Sequence, residues 1–500
     1  MPGAAHAPSA PIVSWRRSVE RLAAAPLSSL PRDRACYAGG ERGASATLRG
    51  ESRQGVAMDR AGADRPAPAS SRTPTAEPAG APSASARLGA FRYPVYRWYW
   101  LGQLATNIGT WMAVVATGWL LLELTDSPAI LGLNAAFQGV PIVVFALVGG
   151  VVADRFDRYR LMVGAQVVQL ALDTGLAVLV ATGAVTVPHV FVYSLLQAIV
   201  NGLTTPARQA LVPRLVPREG LVSAVALNSS VWQGGAVVGP TLAGVVLAAF
   251  GTVWNFYINV LSDVVCLGAM LLMRLPREPR RASAHSPWAS LVQGTRYCAH
   301  QPDVRTLLLA TGVVCLLGRP YTQLLPVFAR DVFRVGPEGL GVMLTMPSIG
   351  AIIAVIGIGV VAPTDTARWF LRSSIAAALA LGAFAASPIY GLSLVMLVFV
   401  GGTSAAATSL SNSLLLQVVE DRMRGRVMGY FMASTWGAWR LGAFPAGVVG
   451  SVWGTPLAIG LCAVLLLIAQ VPVARSRLVR WTPAALEPRS LGASREAAPP

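Results

Sequence analysis

The chain has 500 residues, 54% of them hydrophobic and 13% charged, with a mean hydropathy of +0.55. Soluble domains carry about 25% charged residues, so the net charge of +17 points to arginine-rich loops beside a membrane rather than to nucleic acid. All 40 basic residues are arginine, which excludes a Walker A ATPase and a lysine Schiff base, and the sequence holds neither an H-E-x-x-H nor a G-x-S-x-G motif.

Residues 1–90 are rich in Ala, Pro, Ser, Gly and Arg. Such a segment cannot bury enough apolar surface to offset its ordering entropy, and no apolar run follows its early charges to make a signal peptide. It reads as a disordered cytoplasmic tail. The alternatives are that translation begins at Met58 or that the tail is a basic arm for anionic lipid. From Trp98 the texture changes. A bilayer core of about 30 Å needs roughly 20 apolar residues, and twelve candidate segments follow, at about 98–123, 129–152, 160–183, 188–210, 222–250, 254–273, 304–328, 339–362, 368–386, 388–410, 426–452 and 455–474. The longest connection contains Arg274, Arg277, Arg280, Arg281 and an amphipathic piece from Trp288 to Cys298. The sequence therefore divides into a tail (1–90), a six-helix bundle (91–273), a central cytoplasmic loop (274–303), a second six-helix bundle (304–474) and a C-terminal tail (475–500). The fold class is an all-α membrane protein. Seventeen loop arginines fall on one side of this topology and two, Arg330 and Arg334, on the other, which puts both termini in the cytoplasm. The cysteines Cys36, Cys266, Cys298, Cys315 and Cys462 form no C-x-x-C pair and suggest neither disulfides nor a metal site.

The halves repeat weakly. Asp154 and Asp365 are 211 residues apart, Gln209 and Gln417 are 208 apart, and Pro240 and Pro445 are 205 apart, as expected of a transporter built from duplicated halves. Polar residues inside the apolar segments fall in stripes: Gln103, Asn107 and Trp111; Asn134 and Gln138; Gln166, Gln169 and Asp173; Asn259 and Asp263. Stripes at helical spacing face a cavity or a neighbouring helix, and the sequence leaves both open. Asp173, Asp263, Arg319 and Arg440 fall near mid-segment, where a charge costs at least about 2.5–3.5 kcal/mol. Desolvation suits such an acid to carrying a proton, whereas an arginine neighbour would make it a static ion pair. Candidate substrate and proton residues are thus Asp173, Asp263, Gln103, Asn107, Trp111, Asn134, Gln138, Asn259 and Arg319.

Two motifs carry a resemblance. Gly149-Gly150-Val151-Val152-Ala153-Asp154-Arg155-Phe156-Asp157-Arg158 resembles the loop 2–3 signature of the major facilitator superfamily, with Gly150, Asp154, Arg155, Asp157 and Arg158 as its gating residues. The run with Gly235, Gly239, Pro240 and Gly244 in segment 5 is similar to the glycine–proline element of that superfamily's drug efflux antiporters. Thr204 to Pro213, Gly318-Arg319-Pro320-Tyr321 and Arg424 to Gly429 look like its enterobactin-exporter and macrolide-efflux branch. Two features depart from the pattern: the second-half loop Pro363 to Arg368 is degenerate, and Thr110 precedes Trp111 where the family often has an acid. The resemblance implies the major facilitator fold, no enzyme activity, no cofactor and no metal. It implies proton-coupled efflux of an amphipathic drug, macrolide or siderophore across a bacterial inner membrane, with substrate, protons and lipid as partners and no nucleic acid. The alternative is a non-transporting receptor or assembly partner on the same fold.

Overall fold

The structure, a computed structural model, describes residues 89–155, 157–273 and 287–476. The readings placed on residues 1–88, on the central arginine run and on the last residues lie outside the described residues. The described chain is helical without a strand. Its first six helices are α1 (Pro94–Thr125), α2 (Pro128–Arg155), α3 (Arg158–Ala181), α4 (Val187–Leu211), α5 (Leu221–Phe250) and α6 (Thr252–Leu272). Next comes α7 (Pro287–His300), the amphipathic piece of the central connection. The second half holds α8 (Pro302–Gly318), α9 (Tyr321–Val327), α10 (Gly336–Val361), α11 (Thr366–Ala386), α12 (Tyr390–Val418), α13 (Arg424–Met432), α14 (Ala438–Trp453) and α15 (Thr455–Arg475).

Eleven spans among the described residues are long and apolar enough to cross a membrane, with α8 and α9 forming one of them, Pro302–Val332. The twelfth is α13 with α14, joined through a π-helical turn at Ala433–Gly437. It carries Arg424, Arg426 and Arg440 and is correspondingly less apolar. Two spans expected to be continuous are therefore interrupted. In the seventh, Pro320 has no N–H to give and α8 stops with Arg319 as its C-cap. In the eleventh, the wider π turn contains Trp436.

Helix ends follow local chemistry. Pro94, Pro302 and Pro456 occupy first-turn positions, where a missing N–H costs nothing. Asp157 caps α3 by accepting from Arg160 N at 2.9 Å, and Asp365 caps α11 by accepting from Arg368 N at 3.0 Å. These two aspartates are the structural counterparts, 208 residues apart. This corrects the pairing of Asp365 with Asp154, which belongs to the last turn of α2. Gly251 (φ 86°) and Gly454 (φ 91°) make the one-residue turns between α5 and α6 and between α14 and α15. Both adopt a left-handed conformation that favours glycine.

The helix pairings repeat as well. In the first half α1 packs on α5 and α6, α2 on α4, and α3 on α4 and α6; in the second α8 packs on α14 and α15, α10 on α12, and α11 on α12 and α15. The halves meet through α2 against α14 and α5 against α10. Two ends of the bundle can be told apart: a near end at the start of α1 and a far end at the α1–α2 turn. Toward the far end one apolar core spans both halves, joining Met112, Val115, Trp119 and Leu247 to Tyr321, Leu324, Phe328 and Leu340. Toward the near end each half keeps its own core, around Tyr96, Met162 and Leu211 in the first and Leu307, Phe370 and Leu415 in the second. Among the described residues the halves thus form a wedge, joined by one core at the far end and keeping separate cores at the near end.

Candidate functional site

The loop between α2 and α3 is held by close helix contact. A Cβ on Gly149 would lie 2.7 Å from the Leu203 carbonyl oxygen of α4, and one on Gly202 2.9 Å from Phe145 Cβ of α2. Asp157 caps α3 through its carboxylate, and both Asp157 and Arg158 make further contacts. The side chains of Gly150, Asp154 and Arg155 lie outside the described residues.

The glycines of α5 each seat a different neighbour. A Cβ on Gly235 would meet Asn107 Oδ1 at 2.3 Å, and one on Gly239 would meet Trp111 Cβ at 2.5 Å, both on α1. A Cβ on Gly244 would lie 2.9 Å from Gly341 Cα of α10, in the other half. One helix face therefore sets two polar-stripe residues of α1 and also an inter-half contact.

The polar stripes of the first half turn inward to neighbouring helices. Asp263, fully buried, accepts from Thr106 Oγ1 at 2.8 Å and Gln166 Nε2 at 2.9 Å, tying α6 to α1 and α3. Asp173, 1% exposed, accepts from Tyr193 Oη at 2.6 Å and Gln197 Nε2 at 2.8 Å, tying α3 to α4. The Oδ2 of each has no protein donor. No arginine forms an ion pair with either among the described residues, so the static Asp–Arg pair is not what the structure contains. Gln103 reaches Cys266 Sγ at 3.9 Å. The side-chain oxygens of Asn107, Asn134 and Asn259 are buried without a partner.

A second cluster lies near mid-span where the halves face each other. Trp111 (α1), Trp232 (α5), Trp436 (π turn) and Trp439 (α14) form a row with successive ring centroids 6.3, 5.7 and 5.6 Å apart. Arg319 and Arg440 each hold their guanidinium carbon 5.7 Å from the centre of the Trp439 ring. Trp439 Nε1 donates to Thr322 Oγ1 at 3.0 Å, and Arg440 donates to Gln138 Oε1 across the halves. The predicted residues therefore separate. Asp173 and Asp263 belong to a buried network inside the first half. Trp111, Gln138 and Arg319 belong to an aromatic, cationic cluster between the halves. Sequence reasoning passed over Trp232, Trp436 and Trp439, because an indole in an apolar segment reads as core. Their mid-span positions beside arginines were the available signal.

Residues 85–496 match the family described as transmembrane secretion effectors, a branch of the major facilitator superfamily. The chain is 27% identical over 256 residues to the staphyloferrin A transporter of Staphylococcus aureus, covering 50% of this chain and 63% of that protein, less than two thirds of its length. It is 26% identical over 368 residues to the enterobactin exporter EntS of Salmonella typhi, covering 73% of this chain and 88% of that one. Among solved structures it is similar to a bacterial homologue of the human lysosomal transporter Spinster in an inward-facing, unoccupied conformation. There the TM-score is 0.62 at 15% identity, over 80% of this chain and all of that one. It is also similar to the nucleoside transporter NupG, with TM-score 0.62 at 14% identity, over 76% and 99% of the two chains. At such identities the structural likeness speaks for the fold.

Proposed function

The chain belongs to the transmembrane secretion effector family of major facilitator transporters, and on that premise we propose that it exports a small molecule of siderophore type from a bacterial cell. The wedge carries this reading. Two six-helix halves share a core at the far end, separate at the near end and enclose a polar–aromatic cluster at mid-depth, which is the layout for alternating access around a midplane site. The siderophore class rests on the relatives named above, an enterobactin exporter and a staphyloferrin A transporter. The near end is taken as cytoplasmic, because the loop arginines gather there, which puts the protein in the inner membrane with its opening toward the cell interior.

Coupling to protons is part of the proposal. Asp173 and Asp263 are buried without a cation partner among the described residues, and ionising either at membrane depth costs at least about 2.5–3.5 kcal/mol. A proton taken up by the pair removes that cost, and its release toward the other side as the halves rock would drive export. Inverted membrane vesicles carrying the protein, energised by respiration and offered labelled enterobactin or staphyloferrin A, should accumulate one of them and lose it on adding a protonophore. Vesicles that accumulate neither siderophore would remove the substrate class. Accumulation that survives the protonophore would remove the proton.

A further inference from the structure

Two guanidiniums share one indole at mid-span. Arg319 is presented by the Pro320 break in the seventh span and Arg440 by the turn after Trp436 in the eleventh. Each sits 5.7 Å from the centre of the Trp439 ring. Their partners are neutral: the ring itself, and the Gln138 amide oxygen that accepts from Arg440. Arg440 Nε is buried with no acceptor. No carboxylate forms an ion pair with either arginine among the described residues, and the buried acids Asp173 and Asp263 are committed to Thr106, Gln166, Tyr193 and Gln197 on the first-half helices. Two like charges at membrane depth repel each other and lack the counter-charge that intramembrane cations ordinarily have.

The surroundings specify more than charge. Trp232 is 41% exposed although it touches Trp111 of its own half and Trp436 of the other. Its open surface therefore borders the space between the halves rather than lipid. Each planar guanidinium presents forked donors suited to a carboxylate or similar oxyanion, and indole faces suit a flat unsaturated body.

We propose that Arg319, Arg440 and Trp439 form the anion subsite of the transport pathway, taking the acid group of an aromatic organic anion whose ring lies along the Trp436–Trp232 row. This deepens the export reading and rests on it only for the claim that the bound anion is cargo. The site uses both halves, since Gln138 and Trp232 come from the first and the arginines from the second. Cargo binding would thus compete for the Arg440–Gln138 contact across the halves, which gives an anion a direct route to the rocking motion.

The test measures binding of 1-naphthoate, and of the uncharged isostere 1-naphthamide, to the full chain in nanodiscs of phosphatidylcholine, whose zero net charge keeps lipid anions out of competition. Naphthoate should bind about tenfold or more tightly than naphthamide. Arg319→Gln and Arg440→Gln should each remove about tenfold of naphthoate affinity, the scale of one lost charged hydrogen bond, and leave naphthamide unchanged. Trp439→Leu should weaken both. If Arg440→Gln does not fold, Arg319→Gln and the charge-retaining Arg440→Lys decide. Equal affinity for the two probes, or naphthoate affinity unchanged in the glutamine variants, overturns the subsite. Vesicle export is read separately: naphthoate held through both arginines in a protein that moves no siderophore leaves the subsite standing and fells the export reading.

Discussion

Asp263 joins three helices through one oxygen. Its Oδ1 gathers Thr106 of α1 and Gln166 of α3, and its Oδ2 has no protein donor. Thr106 precedes Asn107, the residue against which Gly235 of α5 is seated. Asp263 thus contacts α1 one residue from Asn107, whose face continues to Trp111 and the tryptophan row. Asp173 has its donors, Tyr193 and Gln197, on α4, a step further from that face. The Asp263→Asn variant keeps the volume and cannot ionise. It should lower uphill accumulation by about tenfold, within the usual range of coupling between two sites, and preserve downhill counterflow of labelled substrate. Asp173→Asn should lower accumulation less. Uphill transport at the wild-type level in both variants and in the double variant would take the proton away from this pair. The acids themselves were legible in the sequence, since charges stand out in apolar segments. What they bond to was not, because the donors Thr106 and Tyr193 lie on other helices and look unremarkable in their own segments.

Helix α5 acts as a spacer with two different clients. Gly239 lets it close on Trp111, and Gly244 lets it close on Gly341 across the halves. A valine at either position places its Cβ against atoms that cannot yield easily, and overpacking of this kind costs about 1–3 kcal/mol, but the consequences should differ. Gly239→Val strains the contact within one half, so the expected result is a lower melting temperature of the purified protein. Gly244→Val strains the contact between halves, so it should leave melting nearly unchanged and increase far-end labelling of a cysteine placed at Leu247, in the shared core. Melting that falls equally for both, with no change in labelling, would show that the inter-half contact has no separate role. The twelve spans and this motif were legible because apolar length and glycine spacing are properties of a single segment. The break at Arg319–Pro320, the π turn holding Trp436 and the pairing of Asp365 with Asp157 were not. A proline or tryptophan in an apolar run does not say whether the helix continues, and a short loop aspartate shows its cap only once the next helix start is fixed.

At the scale of the molecule, the far end is closed by a continuous core and, among the described residues, by one ion pair between the halves. Arg330 donates to Asp126 at 2.6 Å and to the Leu122 carbonyl at 3.2 Å, both in the first half, and also binds Asp331 at 2.7 Å. Among the described residues the near end has no shared core. If the near end is cytoplasmic, an impermeant thiol reagent added to intact cells should reach cysteines placed at Ser127 and Thr252 and not one placed at Arg160, and the reverse pattern would invert the topology. The same labelling tests the ion pair. Asp126 is 79% exposed in its side chain, so the pair is worth at most about 1 kcal/mol, and the apolar core carries most of the closure. Salt screens an exposed pair, with a Debye length of about 8 Å at physiological ionic strength and about 3 Å at 1 M. In the wild-type protein, labelling of a cysteine at Leu247 should therefore quicken as salt is raised, by no more than about fivefold for an interaction of this size. Arg330→Gln should begin at the faster rate and lose the salt dependence, because no inter-half charge remains to be screened. Asp126→Asn should behave alike, although it leaves the Arg330–Asp331 contact intact, and that likeness separates an inter-half latch from a local effect on the turn before α10. A salt response that persists in both variants would trace it to other charges and remove the Arg330–Asp126 latch.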